Sequence, residues 1–371
     1  MNIAMILTNG FDPDPRVYKE AKTLTKLGHS VEILCWDRSG KYIDKPEENL
    51  EGFKVKRFFG NAVYGTGYKQ ISKFLDFKND ILNYIKGNKF DAIHCHDFDG
   101  LFIGDIINNK LKLKLVYDEH DLFYTYFSGR KGIINNFISK FIVLKEKMIL
   151  KKVDAHIVVT PKMYELYKKA NSNTYVVNNA PYKGLFTDIE KTPYEKLRIG
   201  FIGSVRYYKE LKTLIEVSQK FKSDIEIIIN GNGICIDELR SFAKDFDNVK
   251  ITGGYSIKEL ENLYKNIDIT YAFYPSFEGA ISMPNKFFES IITETPIIAN
   301  SNTEFGYEVN KLGIGYSVSE ENLAEDLENV LSKLTSDKRS LELMIENMKN
   351  NKEDFYWEAN EKTLDSLYKS I

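Results

Sequence analysis

Short apolar segments alternate along the chain with longer segments whose apolar residues recur every three or four positions. The first pair is "NIAMILT", typical of a buried strand, and "DPRVYKEAKTLTKLG", an amphipathic helix that Gly28 ends. The alternation continues through "FDAIHCH", "LKLVYDE" and "DAHIVVT". Apolar strands separated by helices predict an α/β, doubly wound domain, in which helices cover both faces of a parallel sheet.

The alternation begins again after 175–196, an irregular stretch rich in turn-forming residues. Strand-like "LRIGFIGS" opens the second series, and the pattern is helical from 321 onward. We therefore predict two Rossmann-like domains, 1–185 and 186–354, and a C-terminal helix, 355–371, that packs on the first. Ligands bind beyond the carboxyl ends of strands in such sheets, so we expect the site in a cleft between the domains.

Composition agrees with two folded domains, because the 371 residues are 43% hydrophobic and 28% charged. Residues 1–190 carry 29 Lys and Arg against 23 Asp and Glu, and the rest carry 22 against 30. This basic excess suggests anionic partners and is too small to indicate nucleic acid. The three cysteines follow no metal-binding spacing and the N-terminus has no basic leader, so we expect reduced thiols in a cytoplasmic protein.

Loops after the predicted strands of the first half carry candidate site residues. "NGFDPDPR" contains Gly10, which permits a close backbone approach, and Asp14, which can cap a helix or contact a ligand. "HCHDFDG" places His96 and Asp97 at another strand end, and "YDEHDLF" places His120 there. His120 is either a structural histidine or one that orients an acceptor or handles a proton. The His-x-His pair lacks a third ligand, so we predict no metal site.

The second half has two comparable loops. "FIGSVRYYKEL" leads from a strand into a helix and contains the candidates Gly203, Ser204, Arg206 and Lys209. Cations beside a helix N-terminus suit a diphosphate, although two solvated charges are the simpler alternative. "NGNG" contains Asn230 and Gly231 and indicates a tight turn with its backbone near a ligand.

A third loop and helix lie in "SMPNKFFESIITETPIIAN". Ser282 can cap the helix and Pro284 suits its first turn. Asn285 and Lys286 would then project at the positive helix end, where phosphate oxygens bind. Glu289 lies one turn further on, and a carboxylate there can accept hydrogen bonds from the two hydroxyls of a ribose.

Together these segments resemble the retaining glycosyltransferases of GT-B family 4, group 1 type, in particular variants from bacterial polysaccharide synthesis. These enzymes transfer a sugar from a nucleotide diphosphate donor. The resemblance covers nearly the whole chain, and the segments that carry it are "DPRVYKEAKTLTKLGHSVEILCWDR", "FDAIHCHD", "LVYDEHD", "GFIGSVRYYKELKTLI" and "PNKFFESIITETPII".

The resemblance implies roles for particular residues. Lys209 falls at the family's diphosphate lysine, and Glu289 falls at the second glutamate of the E-x7-E motif, which binds the ribose. His120 matches the acceptor-side catalytic histidine, and Gly10 matches the glycine loop near the phosphates. The family further implies a UDP- or GDP-sugar donor, a glycan or lipid-linked acceptor, and no bound cofactor or metal.

The chain departs from the family pattern at three positions. The first glutamate of E-x7-E would fall at Ile281, with Glu278 three residues earlier as a candidate substitute. The family arginine position holds Ser204, which leaves Arg206, and the glycine before "PII" is Glu294. A nucleotide-sugar epimerase of the same fold and a non-catalytic partner subunit therefore remain open. A dinucleotide oxidoreductase is disfavoured, because no GxGxxG follows the first strand.

Residues 130–152 contain seven basic residues and one acid, Glu146, interleaved with apolar residues. Such a helix either lies on an anionic membrane, as in a peripheral protein on the inner face of the plasma membrane, or buries one face in its own domain. No stretch approaches 18 apolar residues, so the sequence predicts no membrane-spanning segment.

Overall fold

The computed structural model describes residues 1–12, 14–62, 70–125, 133–193, 195–279 and 281–371. They form two compact units. Unit 1 comprises Met1–Asn178 together with Asn360–Ile371, and unit 2 comprises Asn179–Ala359. Most of the last helix therefore belongs to unit 1, although this helix ends the chain.

Unit 1 contains an eight-stranded sheet with the order β3-β4-β2-β1-β5-β6-β7-β8. Its strands are parallel except for β3, which pairs antiparallel with β4 at one edge. The strands are β1 Asn2–Leu7, β2 Ser30–Asp37, β3 Glu47–Leu50, β4 Phe53–Phe59, β5 Ala92–His96, β6 Lys114–Glu119, β7 Ala155–Val158 and β8 Thr174–Val176. Among the described residues, the helices of this part of unit 1 are α1 Pro15–Lys26, α2 Ile71–Gly87, α3 Asp97–Leu111, α4 Ile133–Leu150 and α5 Pro161–Tyr167.

Unit 2 contains a six-stranded parallel sheet with the order β11-β10-β9-β12-β13-β14. Its strands are β9 Leu197–Ile202, β10 Ile225–Asn230, β11 Val249–Gly253, β12 Ile269–Ala272, β13 Ile297–Asn300 and β14 Gly315–Val318. The helices of unit 2 are α6 Tyr208–Ser218, α7 Ile236–Ala243, α8 Leu260–Lys265, α9 Ser276–Gly279, α10 Asn285–Ile292, α11 Glu304–Leu312, α12 Leu323–Ser336 and α13 Lys338–Asn351. Helix α14, Trp357–Ser370, begins in unit 2 and lies mostly in unit 1. Short 3-10 segments cover Lys183–Leu185, Gln219–Phe221, Ile257–Glu259 and Lys352–Phe355.

The apolar strands are buried because helices cover them, as the sequence pattern predicts. In unit 1 the strand residues Ile6, Leu34 and Ile93 pack with α2 and α3 in one core. In unit 2 Ile199 and Ile227 join α6 and α12 in another. The structure thus has two mixed α/β units, each built on a sheet that is parallel or nearly so.

Several predicted boundaries are wrong. Tyr175 and Val176 belong to β8, so the irregular stretch begins later than residue 175. The polar strand β3 has no alternating pattern and was not predicted. Helix α3 begins at Asp97, three residues before its predicted start, and His96 is its N-cap. Among the described residues, every helix is too short or too polar to cross a membrane.

Candidate functional site

Two histidines and one aspartate meet at the carboxyl ends of β5 and β6 in unit 1. His120 Nε2 lies 2.6 Å from Asp118 Oδ2, and His96 Nδ1 lies 3.1 Å from the same oxygen. Arg16 on α1 binds Asp118 with two nitrogens, at 3.1 and 2.6 Å, and donates to the Val177 carbonyl at 2.8 Å. Parallel strands end at one edge, which brings together residues about a hundred positions apart in the chain.

A second group of buried side chains lies behind these residues. Glu20, one turn after Arg16 on α1, lies 3.0 Å from its guanidinium and 3.3 Å from His94 Nε2. His94 Nδ1 contacts the Tyr368 hydroxyl at 2.8 Å, so the last helix supports this cluster. Burial raises the pKa of Glu20 to about 8, with Asp118 adding to the effect.

The cluster holds one histidine charged and keeps the others neutral. Burial alone would lower the pKa of His120, but Asp118 and Asp97 outweigh it and raise that pKa to about 10. Burial lowers the pKa values of His94 and His96. Although burial opposes it, Arg16 holds the pKa of Asp118 well below its usual range.

Asp97 completes this edge with a strained backbone. Its φ of 56° is in the left-handed region that non-glycine residues rarely adopt. The Asp97 carboxylate accepts the His120 backbone N–H at 3.3 Å and lies 3.7 Å from His120 Nδ1. Burial raises the pKa of Asp97 to about 7. Strain of this kind persists where the surroundings fix a side chain in place, often at functional sites.

Glu20, His94, His96 and Asp118 also offer ligand atoms within 4.8 Å of one another, a grouping that can hold a metal ion. The Arg16 guanidinium, however, already binds both carboxylates of this group. A divalent cation would have to sit beside that fixed positive charge, which is unfavourable. We therefore interpret the cluster as an ion-pair network.

Gly10 and Asp14 line a separate cavity of about 330 Å³ in unit 1. Asp14 caps α1 by accepting the Arg16 and Val17 backbone N–H groups, as predicted, and Asn9 donates to its other oxygen at 3.1 Å. The other lining residues are Asn9, Asp12, Trp36, Asp37, Arg38, Ser39, Lys41 and Tyr42. Pro13 lies outside the described residues.

In unit 2 two predicted loops touch through their backbones. Gly203 follows β9 with a φ of 146° and donates its N–H to the Asn230 carbonyl at 2.8 Å. A Cβ on Gly231 would lie 1.7 Å from the Gly203 carbonyl oxygen, so only glycine fits there. Asn230 is buried and accepts from Thr252 at 2.7 Å. The two glycines thus let adjacent strand ends approach closely.

Lys286 lies against this glycine loop. A Cβ on Gly203 would lie 2.5 Å from Lys286 Nζ, so a side chain at 203 would displace the ammonium group. Nζ donates to the Tyr274 hydroxyl at 2.5 Å and lies 4.9 Å from the Phe201 ring centre. The residue is only 9% exposed. Among the described residues, no carboxylate forms an ion pair with it.

The helix that carries Lys286 begins later than the sequence analysis supposed. Pro284 is the N-cap of α10 and Asn285 is its first residue, so the predicted cap at Ser282 is wrong. The backbone at Pro284 is extended and makes no side-chain capping hydrogen bond. The Phe287 N–H donates to the Pro284 carbonyl at 2.9 Å, and the Asn285 and Lys286 N–H groups before it lack intrahelical partners. Asn285 is exposed and its side-chain oxygen accepts from Asn179 at 3.1 Å.

Glu289 lies on the next turn of α10, half-buried beside two tyrosines. The buried Tyr264 hydroxyl donates to its carboxylate at 3.0 Å. Burial and then the Glu289 charge raise the pKa of Tyr255 to about 12. The carboxylate of Glu289 thus lies close to the hydroxyl groups of two tyrosines.

Of the remaining predicted residues of unit 2, three are on the surface. Ser204, Arg206 and Lys209 are exposed, with Lys209 in the first turn of α6. Ile281 is half-buried in a bend. Glu278 lies in α9, and its side chain is outside the described part of the structure.

Three residues that contribute to these sites were not predicted from the sequence. Arg16, Asp118 and Tyr274 are ordinary within their segments, and each gains its role from a residue distant in the chain. The one available signal was "YDEHD", where Asp118 precedes His120 by two positions and so points to the same face of an extended strand.

Two family models match this chain. Residues 16–180 match the model described as Glycosyltransferase Family 4, and residues 186–351 match Glycosyl transferases group 1. Together they span most of the sequence, and the first lies almost entirely within unit 1 whereas the second lies within unit 2.

Individual proteins are also similar. An uncharacterized glycosyltransferase of Methanocaldococcus jannaschii, MJ1607, is 23% identical over 343 residues, which is 84% of this chain and 83% of that protein. Sucrose-phosphate synthase from Thermosynechococcus elongatus has a TM-score of 0.79 at 16% identity, covering 100% of this chain and 98% of its own. HepE of Anabaena, in a structure with UDP, has a TM-score of 0.72 at 12% identity and full coverage of both chains. A second HepE structure, with UDP-glucose, has a TM-score of 0.70.

Proposed function

The chain belongs to the group 1 glycosyltransferases and has the GT-B fold, and we propose that it transfers a sugar with retention from a nucleotide diphosphate donor. The donor is a UDP- or GDP-sugar, and the acceptor is a glycan or lipid-linked glycan of cell-surface polysaccharide synthesis. The HepE structures with UDP and UDP-glucose support a donor of this class. The three unpaired cysteines, two of them buried, support a cytoplasmic site of reaction.

The buried ammonium of Lys286 carries this proposal. Burying a charge is costly unless an opposite charge accompanies it, and its protein partner here is a phenol hydroxyl. Since no carboxylate of the described residues pairs with this ammonium group, its position supports binding of an external anion. A diphosphate beside Gly203 would bind this ammonium together with the first-turn N–H groups of α10.

Other residues of unit 2 would complete the donor site. Arg206 and Lys209 are exposed cations at the start of α6, where they can bind diphosphate oxygens as the donor arrives. Glu289 would accept hydrogen bonds from the two ribose hydroxyls, as the family resemblance implies. As the glycosidic bond breaks, negative charge grows on the leaving diphosphate, and these fixed cations stabilise it.

Unit 1 would act on the acceptor. With its pKa near 10, His120 is protonated at neutral pH and donates hydrogen bonds, so it orients the acceptor or stabilises negative charge. Asp97, with a pKa near 7, is the better proton acceptor for an attacking hydroxyl. His96 is neutral and buried, and it holds Asp118 in place.

A thermal-shift panel of UDP, GDP and their hexose conjugates tests the donor. A true donor nucleotide at a hundred times its Kd adds about 2.7 kcal/mol to the free energy of unfolding, so the melting temperature should rise with one base and not the other. If neither base raises it, the assignment of a nucleotide diphosphate site is wrong.

Turnover of the donor tests catalysis. We expect Glu289→Ala and Lys209→Ala each to lower kcat/KM by roughly a hundredfold, because each removes a contact to the leaving nucleotide. Glu325→Ala, an exposed glutamate of α12, is the matched control. Near wild-type rates in both variants would overturn the proposal. Donor turnover without any acceptor would favour an epimerase, and nucleotide binding without turnover would favour a partner subunit.

A further inference from the structure

Helix α4 in unit 1 has two apolar faces, and only one of them serves the fold. Ile142, Ile149 and Leu150 are buried in the core of unit 1. Glu146 lies on the same side and accepts the Tyr117 hydroxyl at 2.8 Å. Both apolar packing and a buried hydrogen bond therefore hold the helix on its domain by this inner face.

The opposite face carries four large apolar side chains in water. Phe137, Phe141, Leu144 and Met148 are 69%, 56%, 63% and 52% exposed. Their spacing of four, three and four residues places them in one stripe along the helix. Single exposed apolar residues are common, but a continuous stripe of this kind marks an interaction surface.

Lysines border the stripe on both sides. At 3.6 residues per turn, Lys140 and Lys147 lie along one side and Lys145 lies along the other. Lys145 and Lys152 lie 3.6 and 3.7 Å from the Asp105 carboxylate, so Lys140 and Lys147 are the lysines of the helix that an external anion would reach. Lys151 and Lys152 follow the helix directly and are exposed. The acid of this helix, Glu146, is buried on the inner face, so the outer face presents apolar and basic groups.

We propose that this outer face of α4 docks unit 1 onto an anionic lipid bilayer. The four apolar side chains would enter the headgroup region, and Lys140 and Lys147 would contact lipid phosphates. A second copy of the chain fits less well, since it would bring two rows of lysines together. This proposal does not depend on which sugar is transferred. Docking onto the bilayer would bring the enzyme close to a lipid-linked acceptor.

Vesicle co-sedimentation with the full chain tests the proposal. We expect partitioning onto phosphatidylglycerol and phosphatidylcholine mixtures, much weaker partitioning onto phosphatidylcholine alone, and release at high salt. The double variants Phe137→Ser/Phe141→Ser and Lys140→Gln/Lys147→Gln should each lower the partition coefficient by roughly tenfold or more. Ile234→Ser, which removes an 89% exposed apolar side chain in unit 2, should leave it unchanged.

Three results would overturn the proposal: equal partitioning onto both vesicle types, no effect of either double variant, or an equal effect of Ile234→Ser. A concentration-dependent dimer that the double variants dissociate would assign the face to a second copy instead. The substituted side chains are exposed, so unchanged melting temperatures and UDP shifts would show that folding and the donor site are intact. Failure here would leave the proposed donor site untouched, and failure of the nucleotide panel would leave this face untouched.

Discussion

The two candidate sites handle charge in opposite ways. In unit 1 the cations Arg16 and His120 lie within hydrogen-bond distance of Asp118, so the charges are paired inside the protein. In unit 2 the ammonium of Lys286 is as deeply buried, but its hydrogen-bond partner is the Tyr274 hydroxyl. The charges of the first site balance one another, whereas the proposed donor site has an ammonium group that pairs with a neutral hydroxyl among the described residues.

This difference in charge balance has consequences for the stability of each unit. A fully paired network fixes the position and protonation state of its members before substrate arrives. An unbalanced buried cation lowers the stability of the free protein and gains that energy back when an anion binds. Removing one charge should therefore have opposite consequences for stability in the two units.

Lys286→Met is the largest expected effect on activity. We expect kcat/KM to fall by roughly a thousandfold, because the central cation of the diphosphate site is lost. The melting temperature of the ligand-free protein should stay the same or rise, since an unbalanced buried charge is removed. The control is Lys311→Met, an exposed lysine that pairs with Glu308. A clear fall in stability without ligand would contradict the contrast between the units.

Asp118→Asn should have the opposite effect on stability. The substitution leaves Arg16 buried without its bidentate partner, so chemical denaturation should show a loss of about 3 kcal/mol in the free energy of unfolding. His120 would also lose its main anionic neighbour, and its pKa measured by NMR should fall. Asp365→Asn breaks an exposed pair with Lys369 and should cost only a few tenths of a kcal/mol, or about one tenth as much.

The pH dependence of the free energy of unfolding of Glu119→Gln tests whether the buried Glu119 is protonated in the folded protein. Burial raises the pKa values of Glu119 and Glu146 to about 8, so both keep their protons in the folded state and lose them near 4.5 when unfolded. The unfolding free energy should fall as pH rises from about 4.5 to 8, by up to about 1.4 kcal/mol per pH unit for each group. Urea denaturation between pH 5 and 8 should show a shallower fall for Glu119→Gln. An unchanged slope would mean that Glu119 ionises normally.

Glu294→Gly gives the smallest expected change. Glu294 follows α10 with a φ of 52°, the left-handed conformation for which the related family uses glycine. Its ion pair with Lys352 at 2.8 Å offsets part of the strain. Glu294→Ala would lose the ion pair and keep the strained backbone. We therefore expect the free energy of unfolding of Glu294→Gly to exceed that of Glu294→Ala by about 1 kcal/mol, as measured by thermal denaturation. Equal stability of the two variants would show that the backbone is not strained there.

Much of the fold could be predicted from local pattern. Buried strands and amphipathic helices each have their own period, so the two α/β units and the main strands followed from the sequence alone. The edge strand β3 and the N-cap of α10 did not, because pairing with β4 forms the former and the extended backbone at Pro284 sets the latter. By residue type Ser282 is the better cap and Pro284 suits the first turn, so only the backbone conformation shows that Pro284 is the N-cap.

The sequence identified candidate site residues, but it did not identify the residues that contact them. His120, Lys209 and Glu289 remain predictions for function, and the structure adds the groups that surround them. Arg16 acquires its importance from Asp118, which is 102 positions away in the chain. Nothing in the local sequence of α1 indicates this pair.

The sequence by itself determined which segments are strands, which helices follow them, and hence at which strand ends polar side chains collect. Tertiary structure alone decided which charges are balanced. The electrostatic energy of a charge depends on its burial and on the distance to its neighbours, and folding sets both. That is why His120, a cation at a strand end, forms an ion pair with Asp118, whereas Lys286, a cation at a helix start, contacts the neutral Tyr274 hydroxyl.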